Sequence, residues 1–341
     1  MARNTRSAAA KRGKLSSKAA AEPPRWVEPE LCRLMEKAPS GPRWVHEIKF
    51  DGYRMGARIE HGQVTLLTRS GLDWTGKYPE TAAALSKLPV ESAYIDGELC
   101  GVRPDGVTSF SLIQAASDSG SSSLVYFAFD LLFIDGEAIG FLPLGERKAR
   151  LEKVLESPPH GIAYSEHDSA DGERLRKAAC EHGLEGLVSK RIDQPYKPGE
   201  RGTWVKSKCL NRSEFIIVGW TDPEGARVLI GSLLLGYYDS IGRLLYAGRV
   251  GTGMSQQTLR NLHEKLEALA IANMPLDEKP PRKSRFGSPL ELSRVHWVKP
   301  ELVAEVTYLT WTADNLLRHT VFVGLREDKP AEEVRREMPR S

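Results

Sequence analysis

Short segments with the alternating pattern of β-strands recur along most of this chain, and they constrain its fold more than any other feature. Between residues 23 and 210 they are interleaved with helical segments, and this mixture predicts an α+β unit built mainly on antiparallel strands. The strand-like segments are Arg43–Arg58 around a tight Asp51-Gly52, Gln63–Thr68, Ala93–Val102, Ser123–Ile134, Leu187–Lys190 and Thr203–Lys208. The helical segments are Pro79–Leu88, Glu146–Leu155 and Gly172–His182.

The pattern changes after Asn211, where short strands follow one another at regular intervals. A single helix, Ser255–Ala270, lies among them. Five short strands with one inserted helix predict a small β-barrel of the OB type. The strands of this part are Phe215–Trp220, Leu229–Tyr238, Leu244–Val250, Leu302–Leu309 and Thr320–Leu325. We therefore expect a first domain at residues 23–210, a second domain at residues 211–335 and a short C-terminal tail at residues 336–341.

The composition suits a globular protein of two domains. The 341 residues are 40% hydrophobic and 27% charged, which is ample for two cores. The longest apolar run, Leu124–Ile134, is shorter than the ~20 residues of a spanning helix and contains Asp130, so no membrane span is expected. The four cysteines lie far apart with no metal-ligand spacing, and no secretory signal precedes them. We expect a cytoplasmic protein with four free thiols.

The positive charge of the chain is concentrated at its N-terminus. The net charge is +3, yet residues 1–21 carry six cations and no acid, so the rest of the chain is slightly acidic. This segment is rich in Ala and Ser and has no aromatic residue, and we expect residues 1–22 to be a disordered basic tail. Such a tail is either a phosphate-binding arm or a solubilising extension, and both interpretations stay open.

The segment His46–Arg54 (HEIKFDGYR) is the most informative stretch for chemistry. It places Lys49 just before a tight turn, two residues after the acid Glu47. A lysine becomes a nucleophile when desolvation or neighbouring cations remove its proton, and it can then attack a nucleotide phosphate. We expect Gly52 to let the backbone turn tightly beside a ligand. The alternative is a surface hairpin with a solvated Lys49.

Two further segments offer groups for a nucleotide. Thr68–Gly71 places Arg69 in a loop suited to a phosphate, although a simple hairpin turn explains the same residues. Glu98, in the strand Ile95–Leu99, can bind a ribose hydroxyl or a metal ion, or it can be a polar strand edge.

The aromatic strand Tyr126–Leu132 offers a stacking surface. Alternation places Phe127 and Phe129 on the same face as Leu131. We expect Phe127 in the core. We expect Phe129 to stack on a purine, because the next residue, Asp130, interrupts the apolar run near a surface.

The last segments of the first domain combine an acid with paired cations. Glu185 follows a helix end and suits a divalent metal ion that carries phosphates. Lys206 and Lys208 alternate on one strand face, which favours a triphosphate between them, although solvated lysines on an edge strand are the alternative. The same cations are expected to lower the pKa of Lys49.

Taken in order, these segments resemble the covalent nucleotidyltransferase superfamily of ATP-dependent DNA ligases and mRNA capping enzymes. The HEIKFDGYR form of the first motif and Leu325–Lys329 (LREDK) at the end of the barrel are more similar to the ligases. More narrowly, several segments look like the ligase module of bacterial DNA ligase D, an end-joining ligase: WVHEIKFDGYR, LLTRSGLDWT, YIDGELCG, LLLGYYD, YAGRVGTG, ELVAEV and GLREDKPAEEV.

The resemblance implies an α+β fold class, with a nucleotidyltransferase domain of ATP-grasp-like antiparallel sheets and helices followed by a small OB-fold β-barrel. It also implies the residues that bind the nucleotide. Lys49 is the adenylated nucleophile, Glu47 contacts the adenine of ATP and Phe129 stacks on it. Arg201 matches a nucleotide-binding arginine of the family.

Roles for the remaining site residues follow from the same resemblance. Arg54, Arg69 and Glu98 hold the ribose and the nick phosphate, and Glu185 holds the catalytic Mg²⁺ (or Mn²⁺), with Glu98 as a second metal ligand. The four cations of the phosphate-binding end are assigned as Lys206 and Lys208, which bind phosphates and the transition state, and Arg326 and Lys329, which orient the pyrophosphate of ATP.

The implied reaction is the sealing of nicked double-stranded DNA in three steps. Lys49 takes AMP from ATP, the AMP moves to the 5′-phosphate, and the 3′-hydroxyl displaces it. We expect domain rearrangement about a hinge near Lys208–Ser213. The alternatives are an RNA ligase or capping-type nucleotidyltransferase and a non-catalytic OB-fold module that binds nucleic acid.

The expected DNA contacts are independent of sequence and sensitive to salt. The candidate cations are Arg282, Lys283 and Arg285 in a Pro-rich loop and Arg243 and Arg249 on the barrel, with solvated surface charge as the alternative. The expected setting is a monomer at the bacterial nucleoid that acts in DNA repair or end joining, with a Ku-like end-binding protein as a possible partner.

Overall fold

The computed structural model describes residues 22–119, 124–223, 229–281 and 290–338 of the 341-residue chain. The basic tail and the loop with Arg282, Lys283 and Arg285 therefore lie outside the described residues. The α-helices of the described part are α1 (Pro79–Leu85), α2 (Phe110–Ser119), α3 (Leu144–Val154), α4 (Gly172–Glu181) and α5 (Gln256–Glu267). In the part of the chain that the structure describes, no helix is long and apolar enough to cross a membrane.

The strands that precede residue 209 form two sheets. They are β1 (Leu31–Leu34), β2 (Trp44–Ile48), β3 (Tyr53–Glu60), β4 (Gln63–Thr68), β5 (Ser92–Val102), β6 (Thr108–Ser109), β7 (Leu124–Ile134), β8 (Glu137–Ala138), β9 (Ile162–Tyr164), β10 (His167–Asp168), β11 (Gly186–Arg191) and β12 (Arg201–Lys208). One sheet has the order β1-β12-β11-β2-β10. The other has the order β4-β3-β5-β7-β8, with β6 on β5 and β9 on β7.

The strands that follow residue 210 form a separate sheet and a small ribbon. They are β13 (Asn211–Thr221), β14 (Ser232–Tyr238), β15 (Leu244–Val250), β16 (Ala270–Ile271), β17 (Val295–Val298), β18 (Val303–Tyr308), β19 (Thr310–Trp311), β20 (Leu317–Arg318) and β21 (Val321–Leu325). The sheet has the order β15-β14-β13-β17-β16, and β18 joins β13 to β21. This antiparallel arrangement and helix α5 agree with the predicted OB-type barrel.

Alternating burial explains why these segments fold as strands. Every second residue of β3 is buried, from Tyr53 to Ile59, and these residues pack with apolar residues of α1, α2 and α3 in one core. A second, smaller core around Phe129, Trp204 and Tyr196 lies between the two sheets of the first part. The barrel has its own core, to which α5 contributes three buried leucines.

Local signals fix the helix ends. The Asp171 side chain accepts a hydrogen bond from the backbone N–H of Arg174 and caps α4, and Ser255 caps α5 through Thr258 in the same way. The predicted helices are confirmed with small shifts of their ends. Helix α2 and strand β17 were not predicted.

Strand β7 does not follow the predicted alternation. Asp130 pairs with Asp96 and Ala128 with Gly97, so Phe129 lies in a bulge with no residue opposite. The bulge turns Phe129 into the small core with Trp204, away from the core that contains Leu131, and the prediction of a shared face was wrong.

Two other expectations about this strand were wrong. Phe127 is only half-buried and stacks on Phe50 with ring centroids 4.1 Å apart. Asp130 is fully buried rather than near a surface, because its carboxylate pairs with the equally buried Arg147 at 2.8 Å.

The prediction of four free thiols is wrong for two cysteines. Cys180, near the end of α4, and Cys209, directly after β12, form a disulfide bond with a Cα–Cα distance of 5.2 Å. A separation of 29 residues gave no spacing signal, and only the fold brings the two side chains together. Cys32 and Cys100 are free.

Candidate active site

One cavity of about 190 Å³ lies between the two sheets of the first part and is closed on one side by the barrel. It collects side chains from the ends of β2, β11 and β12, from β3, β5 and β7, and from the barrel. All the predicted site residues line it: Glu47, Lys49, Arg54, Arg69, Glu98, Phe129, Glu185, Arg201, Lys206, Lys208, Arg326 and Lys329.

Lys49 lies in the link between the two sheets, and not in a surface hairpin. Its N–H donates to the Gly186 carbonyl at 2.9 Å, which continues the β2–β11 pairing by one residue. The next strand, β3, belongs to the other sheet. Gly52 is required by packing, because a Cβ there would overlap the carbonyl oxygen of Leu99. Gly52 also lines the cavity, so its expected place beside a ligand stays a prediction.

The charge around Lys49 is opposite to the expectation. Its Nζ is 2.7 Å from Glu185 Oε2. Burial would lower the pKa of Lys49, but Glu185, Glu98 and Asp51 outweigh burial and raise it. The prediction that Lys206 and Lys208 lower this pKa was wrong, because carboxylates and not cations dominate the surroundings of Lys49.

Glu98 and Glu185 suit a divalent metal ion. Burial raises the pKa of Glu98 to about 7, although Lys49 opposes the shift. Within residues 22–119, 124–223, 229–281 and 290–338, the Glu98 carboxylate makes no hydrogen bond or ion pair. An unpaired carboxylate beside a second one is the hard oxygen donor set of Mg²⁺. The described residues hold no cluster of three acidic, His or Cys ligands, so phosphate oxygens and water would complete the coordination.

The closed end of the cavity combines a buried carboxylate with aromatic rings. Glu47 accepts from Lys148 and Lys190, each at 2.9 Å, and from the Ser165 hydroxyl at 2.9 Å. Burial would raise the pKa of Glu47, but the two lysines outweigh it and lower the pKa. The Phe129 ring faces this group, with Lys190 Nζ 4.2 Å from its centroid.

Most N–H donors of the Arg54 guanidinium are already hydrogen-bonded within the protein. Its guanidinium makes two bonds to the Asp96 carboxylate, at 3.0 and 2.6 Å, and also donates to the Glu30 carbonyl and the Tyr196 hydroxyl. Its carbon lies 5.4 Å from the Phe129 ring centroid. Arg54 therefore forms a fixed wall of the cavity.

The cavity also contains the paired lysines of β12 and an unexpected acid. Glu337, which follows the barrel, places its carboxylate 2.7 Å from Lys206 and 3.9 Å from both Lys208 and Arg201. Burial would raise the pKa of Glu337, but Lys206 and Lys208 outweigh it and lower the pKa to about 2. A carboxylate therefore lies where the sequence predicts phosphates.

The barrel contributes two more cations, and both have acidic partners. Arg326 makes two bonds of 2.8 Å to Asp328 and lies 3.4 Å from Glu305. Lys329 donates to Glu214 at 2.6 Å. The loop cation Arg69 is 3.5 Å from Glu333, so each of these groups can exchange its carboxylate for phosphate oxygens. Their pairing keeps them desolvated and oriented toward the cavity.

Ion pairs hold the barrel against the first part of the chain. Arg212 bridges Asp51 at 2.7 Å and Glu305 at 2.9 Å. On the other side of the cavity Glu327 bridges Lys77 at 3.0 Å and Lys265 at 2.9 Å. The structure is thus a closed arrangement in which the barrel covers the cavity.

Several members of the site escaped sequence reasoning. Lys148 lies on a helix between motifs and contacts the lining residue Glu47 from behind, and Glu337 follows the last motif and lines the cavity, so only the fold brings both to the site. Lys190 lies near the end of the strand that follows Glu185, and this position was the available signal for it. Of the predicted DNA contacts, Arg243 is exposed and paired with Asp239 and Glu278, and Arg249 lies on β15.

Comparisons with known proteins match nearly the whole chain after the tail. Residues 30–208 match the family model described as "ATP dependent DNA ligase domain", and residues 226–329 match "ATP dependent DNA ligase C terminal region". The chain is 41% identical over 334 residues to the multifunctional non-homologous end joining protein LigD of Pseudomonas aeruginosa, covering 97% of this chain and 39% of that protein.

Two mycobacterial proteins are also similar. The chain is 39% identical over 299 residues to the multifunctional non-homologous end joining DNA repair protein LigD of Mycobacterium tuberculosis, covering 86% of this chain and 38% of that protein. The solved structure "mycobacterial DNA ligase D complexed with ATP and MES" matches with a TM-score of 0.67 at 35% identity, covering 91% of this chain and 98% of that chain. The chain spans less than half the length of these curated relatives.

Proposed function

The chain belongs to the family of ATP-dependent DNA ligases, and we propose that it seals nicks in double-stranded DNA through an AMP adduct on Lys49. One observation carries this proposal. Lys49 lines one cavity together with Glu47 and Phe129, which suit a base, and with the cations Lys206 and Lys208, which suit phosphates. A nucleotide bound in this cavity can place its α-phosphate beside Lys49.

The first step forms the adduct. Lys49 first gives up one ammonium proton to solvent, its neutral Nζ then attacks the α-phosphorus of ATP, and the new P–N bond replaces the bond to pyrophosphate while a second Nζ proton passes to solvent. Glu98 and Glu185 would hold a divalent metal ion that offsets negative charge on the phosphate oxygens. A metal ion held there would also draw the Glu185 charge away from Lys49, which would weaken the largest contribution to the raised pKa of Lys49.

The cations orient the leaving group and the later intermediates. Lys206 and Lys208 exchange Glu337 for phosphate oxygens, and Arg326 and Lys329 direct the pyrophosphate for departure in line with the attack. Arg54, Arg69 and Arg201 complete the walls around the ribose and the phosphates.

The later steps require the barrel to move. AMP passes to the 5′-phosphate of the nick, and the 3′-hydroxyl then displaces it and forms the phosphodiester bond. We take residues 23–210 and 211–335 as the two domains, and a hinge near Lys208–Ser213 opens the cavity to DNA. Support comes from the sheets, because among the described residues no sheet includes strands from both sides of Cys209 and Leu210.

The biological role follows from the relatives. Two of them are named as non-homologous end joining proteins, so we place this chain in DNA repair by end joining, as a monomer at the nucleoid in the cytoplasm. Non-specific contacts to the phosphate backbone, with Arg243 and Arg249 as candidates, account for DNA binding. A Ku-like protein that binds DNA ends is the partner class that this role implies.

Intact mass before and after incubation with ATP and Mg²⁺ tests the core of the proposal. We expect a gain of one AMP that maps to Lys49, is reversed by pyrophosphate and is absent from Lys49→Ala. Lys87→Ala, which removes an exposed lysine, is the control and should form the adduct normally. Transfer from GTP and not from ATP would contradict the proposal and favour a capping-type enzyme. Sealing of nicked RNA but not nicked DNA would favour an RNA ligase.

A further inference from the structure

Lys148 is a buried lysine that supports the closed end of the cavity from behind. It lies in the middle of α3, outside every motif, and its side chain is only 1% exposed. Its ammonium donates to Glu47 Oε1 at 2.9 Å, to the Ser165 carbonyl at 3.2 Å and to the Phe129 carbonyl at 3.4 Å. An ammonium has three donors, so each of them has a partner.

This arrangement is costly unless it has a use. Burying an ammonium group carries a desolvation penalty, which a hydrophobic residue at the same helix position would avoid. Lys190 already neutralises Glu47 from the other side, at 2.9 Å. Two lysines exceed what one negative charge needs, and the geometry of their hydrogen bonds indicates a further role.

The hydrogen bonds that the Glu47 carboxylate accepts can be compared with the number it can accept. A carboxylate offers about four lone-pair directions. Lys190 and Ser165 use those of Oε2, and Lys148 uses one of Oε1. One direction on Oε1 stays available to a donor in the cavity. The exocyclic amine of adenine is such a donor, whereas guanine has a carbonyl oxygen at the same ring position, which a carboxylate repels.

We propose that Lys148 is a positioning residue that sets the preference for adenine, by fixing both the Glu47 carboxylate and the backbone of Phe129. This inference rests on the proposed function, since it concerns the nucleotide that Lys49 receives. The contact to the Phe129 carbonyl couples the hydrogen-bonding group to the stacking ring, so both face the base in one fixed relation. Ser165 links to the same network through its hydroxyl and its carbonyl.

The test compares three triphosphates as nucleotide donors in single-turnover formation of the Lys49 adduct. They are ATP, GTP and the triphosphate of purine riboside, which lacks the exocyclic amine. The intact protein should prefer ATP over the purine riboside compound by about ten- to hundredfold in kcat/KM, the worth of one hydrogen bond to a charged group. In Lys148→Met this ratio should fall to within about threefold of unity, chiefly because KM for ATP rises. Lys153→Met, at the end of the same helix, should keep the ratio of the unchanged protein.

The outcomes distinguish failure of the proposed function from failure of the inference about Lys148. If the unchanged protein takes no AMP from ATP, the proposed function fails. If it takes AMP but Lys148→Met keeps the full preference for ATP over the purine riboside compound, only the inference about Lys148 fails. A general loss of rate with an unchanged ratio also contradicts it, because that result indicates a structural role. Should Lys148→Met not fold, Ser165→Ala removes one donor to Glu47 and must lower the same ratio for the inference to stand.

Discussion

The side chain of Lys208 shows how strongly the cavity depends on its charges. Burial and then the charge of Lys206 lower the pKa of Lys208 to about 8, although Glu337 and Glu185 oppose the shift. Its ammonium donates to the Arg212 carbonyl at 2.5 Å. Lys208 thus loses its positive charge close to physiological pH, and with it part of the attraction for phosphates.

We predict that the affinity for ATP falls as pH rises through about 8. Loss of the Lys208 proton removes a cation from the phosphate end, so affinity measured in Lys49→Ala, which forms no adduct, should decrease by up to about tenfold between roughly pH 7 and pH 9. Isothermal titration calorimetry at several pH values measures this directly.

The matched control for this prediction adds Lys208→Arg to the Lys49→Ala variant. A guanidinium keeps its charge over the whole range, so the affinity of the double variant should be nearly independent of pH. An equal decrease in both proteins would assign the effect to another group.

At the same scale, sequence reasoning found the cavity residues but not their partners. The order of motifs predicts that Lys49, Glu185 and Lys206 meet, because each motif carries its own residue type at a fixed position. Ion pairs carry no such signal: Lys206 and Glu337 are 131 residues apart. The pKa of Lys49 was predicted in the wrong direction for this reason, since its nearest charge is a carboxylate at 2.7 Å.

Among the elements, the segment that follows β21 determines how the cavity is occupied. It includes Asp328, which pairs with Arg326, then Glu333 near Arg69, and finally Glu337 between the lysines of β12. Three acids in one short segment thus pair with three groups of cations that line the cavity. In the proposed reaction, this segment is an internal anion that ATP displaces at Lys206.

We predict that Glu337→Gln tightens ATP binding by about two- to fivefold, the range of a partly exposed ion pair. The substitution keeps the shape of the side chain and frees Lys206 for phosphate without removing any cation. Binding is measured in the Lys49→Ala background at about pH 6, because loss of the Glu337 charge lowers the pKa of Lys208 further and Lys208 must stay charged for the comparison.

Glu332→Gln provides the comparison, because this acid belongs to the same segment but is exposed. It should leave the affinity unchanged. Weaker binding in Glu337→Gln would mean that Glu337 helps to hold the nucleotide and does not compete with it.

The type of an element was predicted where the element buries one face, and it was missed where contacts with distant segments determine its structure. Strand β3 follows a strict alternation and was found. Helix α2 has a Ser-rich sequence of low helix propensity, and it forms because Phe110 and Ile113 pack into the core beneath β5. The bulge in β7 and the Cys180–Cys209 disulfide likewise arise from contacts between distant segments.

The molecule as a whole is held closed by charged contacts between the barrel and the first part of the chain. Arg212 and Glu327 each bridge residues from both sides. The ion pairs of Glu327 are partly exposed, so they weaken with salt and are individually small, whereas the pair of Arg212 with Asp51 is largely buried. In the proposed reaction, the closed form serves the step with ATP, because it brings Arg326 into the cavity, and an open form admits the DNA duplex.

We predict that Arg326→Ala slows the step that uses the closed form and spares the step that uses the open form. Formation of the Lys49 adduct from ATP should fall by about a hundredfold or more, because an oriented cation that stabilises charge on the leaving pyrophosphate is lost. Sealing of nicked DNA that already carries a 5′-adenylate should stay within about threefold, because that step needs no pyrophosphate and takes place with the barrel moved away. Lys299→Ala removes an exposed cation of the barrel and should change neither rate. If Arg326→Ala slows both reactions equally while its Tm is unchanged, Arg326 acts at every step, and the barrel cannot leave the cavity when DNA is bound.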